Sequence, residues 1–232
     1  MAGKVGPDIS ENGLVLYLDA GNRASYSGSG TTWTDISGNS NTGTLTNGPT
    51  FSAANLGSIV FDGVDDIVTV NNASNLNSTS EMTICCFFNI ASFGGNYAPI
   101  VFKQNNYTSF YEQYSLYMTN TDVTFAITGV DRTTKQAGSV VDYRNLFTYA
   151  VGTFNTTTDT IKLYINGLLK TTISTFTSTI DVSTQPLRIG AAVSVYPGFV
   201  NGKIYSVTIY SRELNAAEIL QNYNATKRRF GL

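Results

Sequence analysis

The sequence predicts an all-β protein, a sandwich or barrel, with one short C-terminal helix. Three observations carry the prediction. Short runs rich in Val, Ile, Thr, Phe and Tyr recur almost throughout the 232 residues, each bounded by Gly, Asn, Asp or Pro. Turn signals separate them, and many short strands with turns between them build sandwiches and barrels. One segment, LNAAEILQNYNAT (214–226), stands out as helical because it carries a capping pattern.

In chain order the expected strands are 14–18, 58–61, 67–70, 82–90, 100–102, 114–118, 123–127, 147–154, 160–165, 168–173, 187–189 and 203–210. SIVFDGVDDIVTV (58–70) reads as two short strands joined by an Asp-Gly turn. The clearest hairpin is TIKLYINGLLKTTI (160–173). There Ile161, Leu163 and Ile165 alternate with Thr160, Lys162 and Tyr164, and Asn166-Gly167 supplies two turn positions that accept φ > 0. Residues 25–32 and 71–80 are Asn/Ser/Thr/Gly-rich and read as loops. At the helix, Asn215 is a good N-cap and Glu218, three residues on, completes a capping box. Leu214 and Ile219 occupy the hydrophobic-staple positions, and Ile219, Leu220 and Tyr223 offer an apolar face. The expected helix has two to three turns and closes one end of the sandwich. No break in composition divides the chain, so one domain is expected, with a core over about residues 13–222 and a basic tail at 227–232.

Composition excludes several function classes. Charged residues make up 13%, about half the usual share, and the net charge is -2. That gives no electrostatic case for nucleic acid or an anionic membrane. The sequence has no histidine, which removes the Ser-His-Asp triad, the Cys-His pair and the H-E-x-x-H zinc site. Cys85 and Cys86 are adjacent in an expected strand, so alternation points them to opposite faces as two reduced apolar residues. The start, MAGKVGPDIS, has no apolar h-region, and no apolar run approaches the roughly 20 residues of a membrane span.

Six segments in order carry a family resemblance: GLVLYLDAGN (13–22), WTDISGNSNTGTLTNGPTF (33–51) with SIVFDGVDDIVTV, FTYAVGTFN (147–155), IKLYINGLL (161–169), LRIGAA (187–192) and GKIYSVTIYSRELNAAEI (202–219). Together they resemble laminin-G-like domains of the concanavalin A-like lectin/glucanase superfamily. The wording LDAGN, DISGNSNTGTLTNGP and NYNATKRRFGL looks most like laminin-G-like proteins of tailed bacteriophages. The resemblance implies a jelly-roll sandwich of two antiparallel sheets with roughly a dozen strands. It also implies a virion structural role, as a capsid decoration or tail-fibre component assembled in the host cytoplasm. The implied partners are other virion proteins and host surface glycans, with an oligomeric arrangement on the particle. Some members hold calcium near the loop rim, and others are glycosidases.

The glycosidase reading fails on spacing. Laminarinase-type members carry Glu-x-Asp-x-x-Glu on one strand, which puts two carboxyls about 5–5.5 Å apart on one face. Here Glu11, Glu81, Glu112, Glu213 and Glu218 fall on no shared strand. A binding protein, not an enzyme, is expected.

Three groups of residues are candidates for binding. Asp62, Asp65 and Asp66, with Asp35, offer oxygen ligands suited to calcium, and the same residues suit Asx-turns. Tyr97, Asn105, Asn106, Tyr107, Tyr111 and Tyr196 combine amphipathic rings with amide hydrogen bonding, as carbohydrate sites require. Lys227, Arg228, Arg229 and Phe230 form a basic tail able to dock on another virion protein, or a solvated charge run. Trp33, the only tryptophan, heads a motif whose alternation favours packing over sugar stacking.

Overall fold

The computed structural model describes residues 8–105, 112–174, 178–192 and 197–232. Two antiparallel sheets face each other. One runs in the order β14 (Leu168–Ile173), β13 (Thr160–Ile165), β12 (Thr148–Asn155), β7 (Glu81–Gly95), β17 (Gly198–Tyr210), β5 (Ser58–Asp62), β4 (Thr50–Ser52). Two further strands, β1 (Leu14–Asp19) and β16 (Ala191–Ala192), pair with other stretches of the long β17, making nine. The second sheet has eight strands: β11 (Thr134–Ser139), β10 (Val123–Thr128), β9 (Glu112–Met118), β8 (Ala98–Gln104), β15 (Leu187–Ile189), β6 (Ile67–Val70), β3 (Gly43–Thr46) and β2 (Thr32–Trp33). This is a concanavalin A-like sandwich, as the sequence predicts.

All twelve expected strands are present, and five are added: β2, β3, β4, β11 and β16. The additions are short or polar. β11 reads TKQAGS and places only Ala137 in the core, so its strand state comes from pairing with β10 along six residues. The β13–β14 hairpin has the predicted bounds, with Asn166 at φ 53° and Gly167 at φ 80°. The turn after Asp62 differs from a hairpin. β5 belongs to the nine-stranded sheet and β6 to the eight-stranded one, so residues 63–66 arch from one layer to the other. A Cβ at Gly63, which has φ 83°, would press on the Asn201 side chain, so this arch needs glycine.

The main core lies between the sheets. Alternate residues of each strand enter it, including Val68, Val101, Leu116, Phe125 and Ile189 from one sheet and Ile84, Cys86, Phe88, Ala150 and Val207 from the other. Trp33 is fully buried there, which rules it out as a sugar platform. Gly152 sits where the Phe125 ring crosses between layers, and any Cβ at 152 would overlap that ring.

A second apolar cluster covers the outer face of the nine-stranded sheet. Cys85, Phe87, Tyr149, Val151, Tyr164, Tyr205 and Tyr210 meet Leu214, Ile219 and Phe230 there. Cys85 and Cys86 therefore face opposite ways, each in an apolar cluster, and burial pushes the Cys85 thiol up to about 11. The helix α1 (Ala216–Lys227) starts with the predicted capping box, in which the Asn215 side chain accepts from Glu218 N while Glu218 accepts from Asn215 N. Leu214 and Ile219 are both buried, as the staple requires. The helix does not close an end of the sandwich; it lies on the sheet face. Leu220 points out to solvent, and Asn222 takes the inward position beside Ile219, donating to Tyr210 Oη and accepting from Ser10 N.

Candidate functional site

Among the described residues, no such cover lies over the outer face of the eight-stranded sheet at β2 and β3. One cross-strand row traverses all eight strands: Thr32, Thr44, Thr69, Arg188, Phe102, Ser115, Ala126 and Gln136 are partners in turn. The flanking row (Leu45, Val68, Ile189, Val101, Leu116, Phe125, Ala137) enters the core, so period-2 alternation turns the first row outward. Exposure changes along that row. Thr32 and Thr44 are exposed, Thr69 and Arg188 are intermediate, and Phe102, Ser115 and Ala126 are buried. The result is an open shelf of threonine hydroxyls on β2, β3 and β6 that ends against Arg188 on the central strand β15.

Arg188 is the least satisfied charge on this face. Its Nη1 is buried and donates to no acceptor among the described residues, and burial lowers its pKa. Lys103, fully buried at the sandwich end, donates to Asn72 Oδ1 (2.7 Å) and to the Gln185 carbonyl (2.5 Å). Burial first, and then the Arg188 charge, pull its ammonium down to about 8. Among the described residues no carboxylate forms an ion pair with either cation. On β9, Gln113 is fully buried with neither amide atom partnered, and burial pushes the Glu112 carboxyl up. Ser115 Oγ on the same strand is also buried without a partner among the described residues. Sequence reasoning missed Arg188. The available signal was a lone guanidinium between Leu187 and Ile189, whose alternation forces it onto the outer face.

The expected carbohydrate residues divide. Tyr97 packs edge-on against Tyr117 with ring centroids 5.6 Å apart, and Tyr117 lies on the outward row of β9 opposite Thr124. Asn105, just past β8, is buried. Asn106, Tyr107, Tyr111 and Tyr196 lie outside the described residues.

The acidic arch brings Asp62, Asp65 and Asp66 together, with one carboxylate oxygen of each within 4.8 Å of the others. Asp62 Oδ1 accepts from Val64 N (2.8 Å), and Asp66 Oδ2 accepts from Asp62 N (2.9 Å). The first is an Asx-turn bond, and the second reaches back four residues to tie the two ends of the arch together. Burial first, then the Asp62 and Asp65 charges, raise the Asp66 pKa. Hard oxygens at this spacing fit one calcium ion, whose ligands sit at about 2.3–2.6 Å. Asp35 does not join them. Its two oxygens accept from Tyr17 N, Ser37 N, Ser37 Oγ and Asn41 N at 2.8–2.9 Å, so the carboxylate is fully committed to its own loop.

The basic tail docks on its own sandwich, which corrects the expectation for two of its four residues. Phe230 stacks on Phe87 at 4.0 Å, and Arg229 Nη1 bonds Asp19 Oδ1 at 2.7 Å. Lys227 lies over the Tyr223 ring, and Arg228 remains exposed.

Glutamates that share no strand do meet in space. Glu81 Oε2 accepts from Glu213 N at 3.2 Å. Glu213 is held by Lys162 Nζ (2.8 Å), Asn155 Nδ2 (3.0 Å) and Thr153 Oγ1 (3.3 Å). Glu213 thus ties β12 and β13 to the segment before α1.

The sequence profile of the Concanavalin A-like lectin/glucanases superfamily matches residues 62–220. The chain belongs to this superfamily. No curated protein matches it. Among solved structures it resembles the binding domain of Paraclostridial Mosquitocidal Protein 1, at 15% identity and TM-score 0.73, covering 93% of this chain and 52% of that one. It also resembles the receptor binding domain of botulinum neurotoxin C/D mosaic serotype (16%, TM-score 0.71, 92% and 51%). A third is the botulinum neurotoxin serotype D ligand binding domain in complex with N-acetylneuraminic acid (17%, TM-score 0.71, 92% and 52%). The chain spans about half the length of these structures, and at such identity the likeness shows the fold alone.

Proposed function

We propose that this superfamily member is a non-enzymatic carbohydrate-binding module, displayed on a bacteriophage particle as a capsid decoration or fibre component. The observation that carries the binding role is the open threonine shelf ending at Arg188. It is a solvated sheet face with hydroxyls and one cation. The structural neighbours support the reading, since they are binding domains of toxins and one is complexed with a sugar acid. The phage-like wording of the motifs supports the virion setting. There, a rigid sandwich held in many copies would turn weak single contacts into firm adhesion to host polysaccharide. Arg228, exposed beside the anchored tail, is the residue best placed to meet another virion protein.

Calcium, where bound, would be held by Asp62, Asp65 and Asp66, and it would supply charge neutralisation that pins the arch. A glycan array of the purified chain, with and without EDTA, tests the binding role. Silence on the array at high protein concentration retires it. Absence of the protein from purified particles by mass spectrometry retires the virion role. Release of reducing ends from host polysaccharide would show an enzyme instead.

A further inference from the structure

The Arg188 guanidinium poses an electrostatic question that the fold leaves open. Guanidinium stays protonated at any accessible pH, so it cannot escape burial by losing its charge. It is partly desolvated, its Nη1 has no acceptor among the described residues, and a second buried cation, Lys103, lies on the neighbouring strand β8 next to Arg188's partner Phe102. Two like charges near each other without a carboxylate are costly, and removing one end of an ordinary buried pair costs several kcal/mol for the same reason. Lys103 is partly compensated by two neutral acceptors. Among the described residues Arg188 has no such acceptors; Nη1 is closed to solvent, so the Nε–Nη2 edge is the one a ligand would meet, and the residue stands at the head of the shelf where Thr69 and then Thr44 follow at successive strand spacings of about 4.8 Å.

We propose that this shelf selects acidic glycans, with the planar carboxylate of a uronic or sialic acid forked on Arg188 and ring hydroxyls bonded to Thr69 and Thr44. The inference rests on the carbohydrate-binding reading and adds the chemical class of ligand. A carboxylate matches the guanidinium fork with two parallel hydrogen bonds, which a neutral hydroxyl cannot make. The Glu112 carboxyl, on β9 beyond Phe102, is the acidic group that opposes this choice. Burial holds it toward its protonated form, which lessens the repulsion.

The test uses the full chain and calorimetry with three probes: oligogalacturonate, its methyl ester, and a sulfated neutral oligosaccharide. N-acetylneuraminic acid oligomers serve as a second carboxylated series. Carboxylated probes are expected to bind at least 10-fold tighter than the methyl ester, a comparison that needs no variant. Arg188→Gln should remove that preference while leaving Tm unchanged or raised, because no intramolecular partner is lost. Arg188→Lys keeps the charge but loses the fork, so it should fall between. Equal binding of ester and acid, or an acid preference that survives Arg188→Gln, overturns the assignment while leaving glycan binding intact. Equal binding of the sulfated probe overturns the choice of a carboxylate over other oxyanions. Failure of every probe, together with a silent glycan array, overturns both readings at once.

Discussion

Phe230→Ala should cost the protein about 3 kcal/mol, because the tail is part of the fold. The ring is 9% exposed, stacks on Phe87 at 4.0 Å, and meets Tyr205 edge-on at 4.7 Å and Phe147 at 5.1 Å. Burying an aromatic side chain removes roughly 150 Å² from water, worth about 4 kcal/mol at about 25 cal/mol per Å². That figure is an upper estimate, since denatured chains already bury some surface. Core Phe→Ala changes cost about 3–5 kcal/mol, and a site near a chain end relaxes more easily than a central one, which favours the lower value. With about 2.1 cal/mol/K of unfolding entropy per residue, 232 residues give about 0.5 kcal/mol/K, so Tm should fall by about 6 °C. Calorimetry and urea unfolding measure both quantities, with Leu232→Ala, a half-exposed neighbour, as a control expected within about 0.5 kcal/mol. A Phe230→Ala shift no larger than that of the control would refute the reasoning. The tail would then be free in solution, and partner docking would return as its role.

Three other perturbations probe the layers, the helix cap and the arch. Gly152→Ala should destabilise by about 1–3 kcal/mol through overlap with Phe125, and adding Phe125→Leu should recover part of the loss; additive costs in a double-mutant cycle would sink the close-approach argument. The Arg212 ion pair holds the Glu218 carboxyl down at about 2, so its stabilising contribution is complete above its ordinary value near 4.5 and is lost as pH falls from there toward 2. Tm measured against pH should show that acid limb, and Glu218→Gln should flatten it. Millimolar calcium should raise Tm in the native chain and not in Asp66→Asn, whose metal-free Tm should match or exceed the native value because one of three clustered charges is gone; an equal calcium response in both would discard the cation role.

What the sequence discloses follows where local chemistry outweighs tertiary context. The Asn166-Gly167 hairpin, the Asn215–Glu218 cap and the Leu214–Ile219 staple are local devices, and each is found where the residues place it. The polar strands β3 and β11 are not legible, because their pairing is dictated by β6 and β10 rather than by their own side chains. The Asp62-Gly63 turn shows the same limit. A turn was readable, but whether it joins strands in one sheet or crosses between two depends on partners distant in sequence, such as Asn201 opposite Asp62. In the sequence Asp35 suits either a cation or an Asx-turn, and Arg229 either a docking surface or solvent. Each is instead consumed by backbone amides or a carboxylate that only the fold brings near. Arg188 is the reverse case: it is hidden in a short apolar run, and the fold leaves its Nη1 without an acceptor among the described residues.

The two outer faces of the sandwich explain why binding belongs on the eight-stranded sheet. Both sheets must bury their inner faces, so only the outer ones are free to differ. On the nine-stranded sheet the outward positions are Cys85, Phe87, Tyr149, Val151, Tyr164 and Tyr205, and such a surface requires cover. Helix α1 and Phe230 provide it, which removes that face from use. On the eight-stranded sheet the corresponding positions from β2 to β15 are Thr32, Thr44, Thr69 and Arg188, which water can solvate and which need no lid. A hydroxyl-lined sheet face gains little by packing on protein. It gains more by exchanging water for a ligand that is itself a field of hydroxyls, provided that one charged contact fixes the register. Arg188 is positioned to be that contact, and the same burial that makes it costly in the free protein would strengthen its bond to an arriving carboxylate.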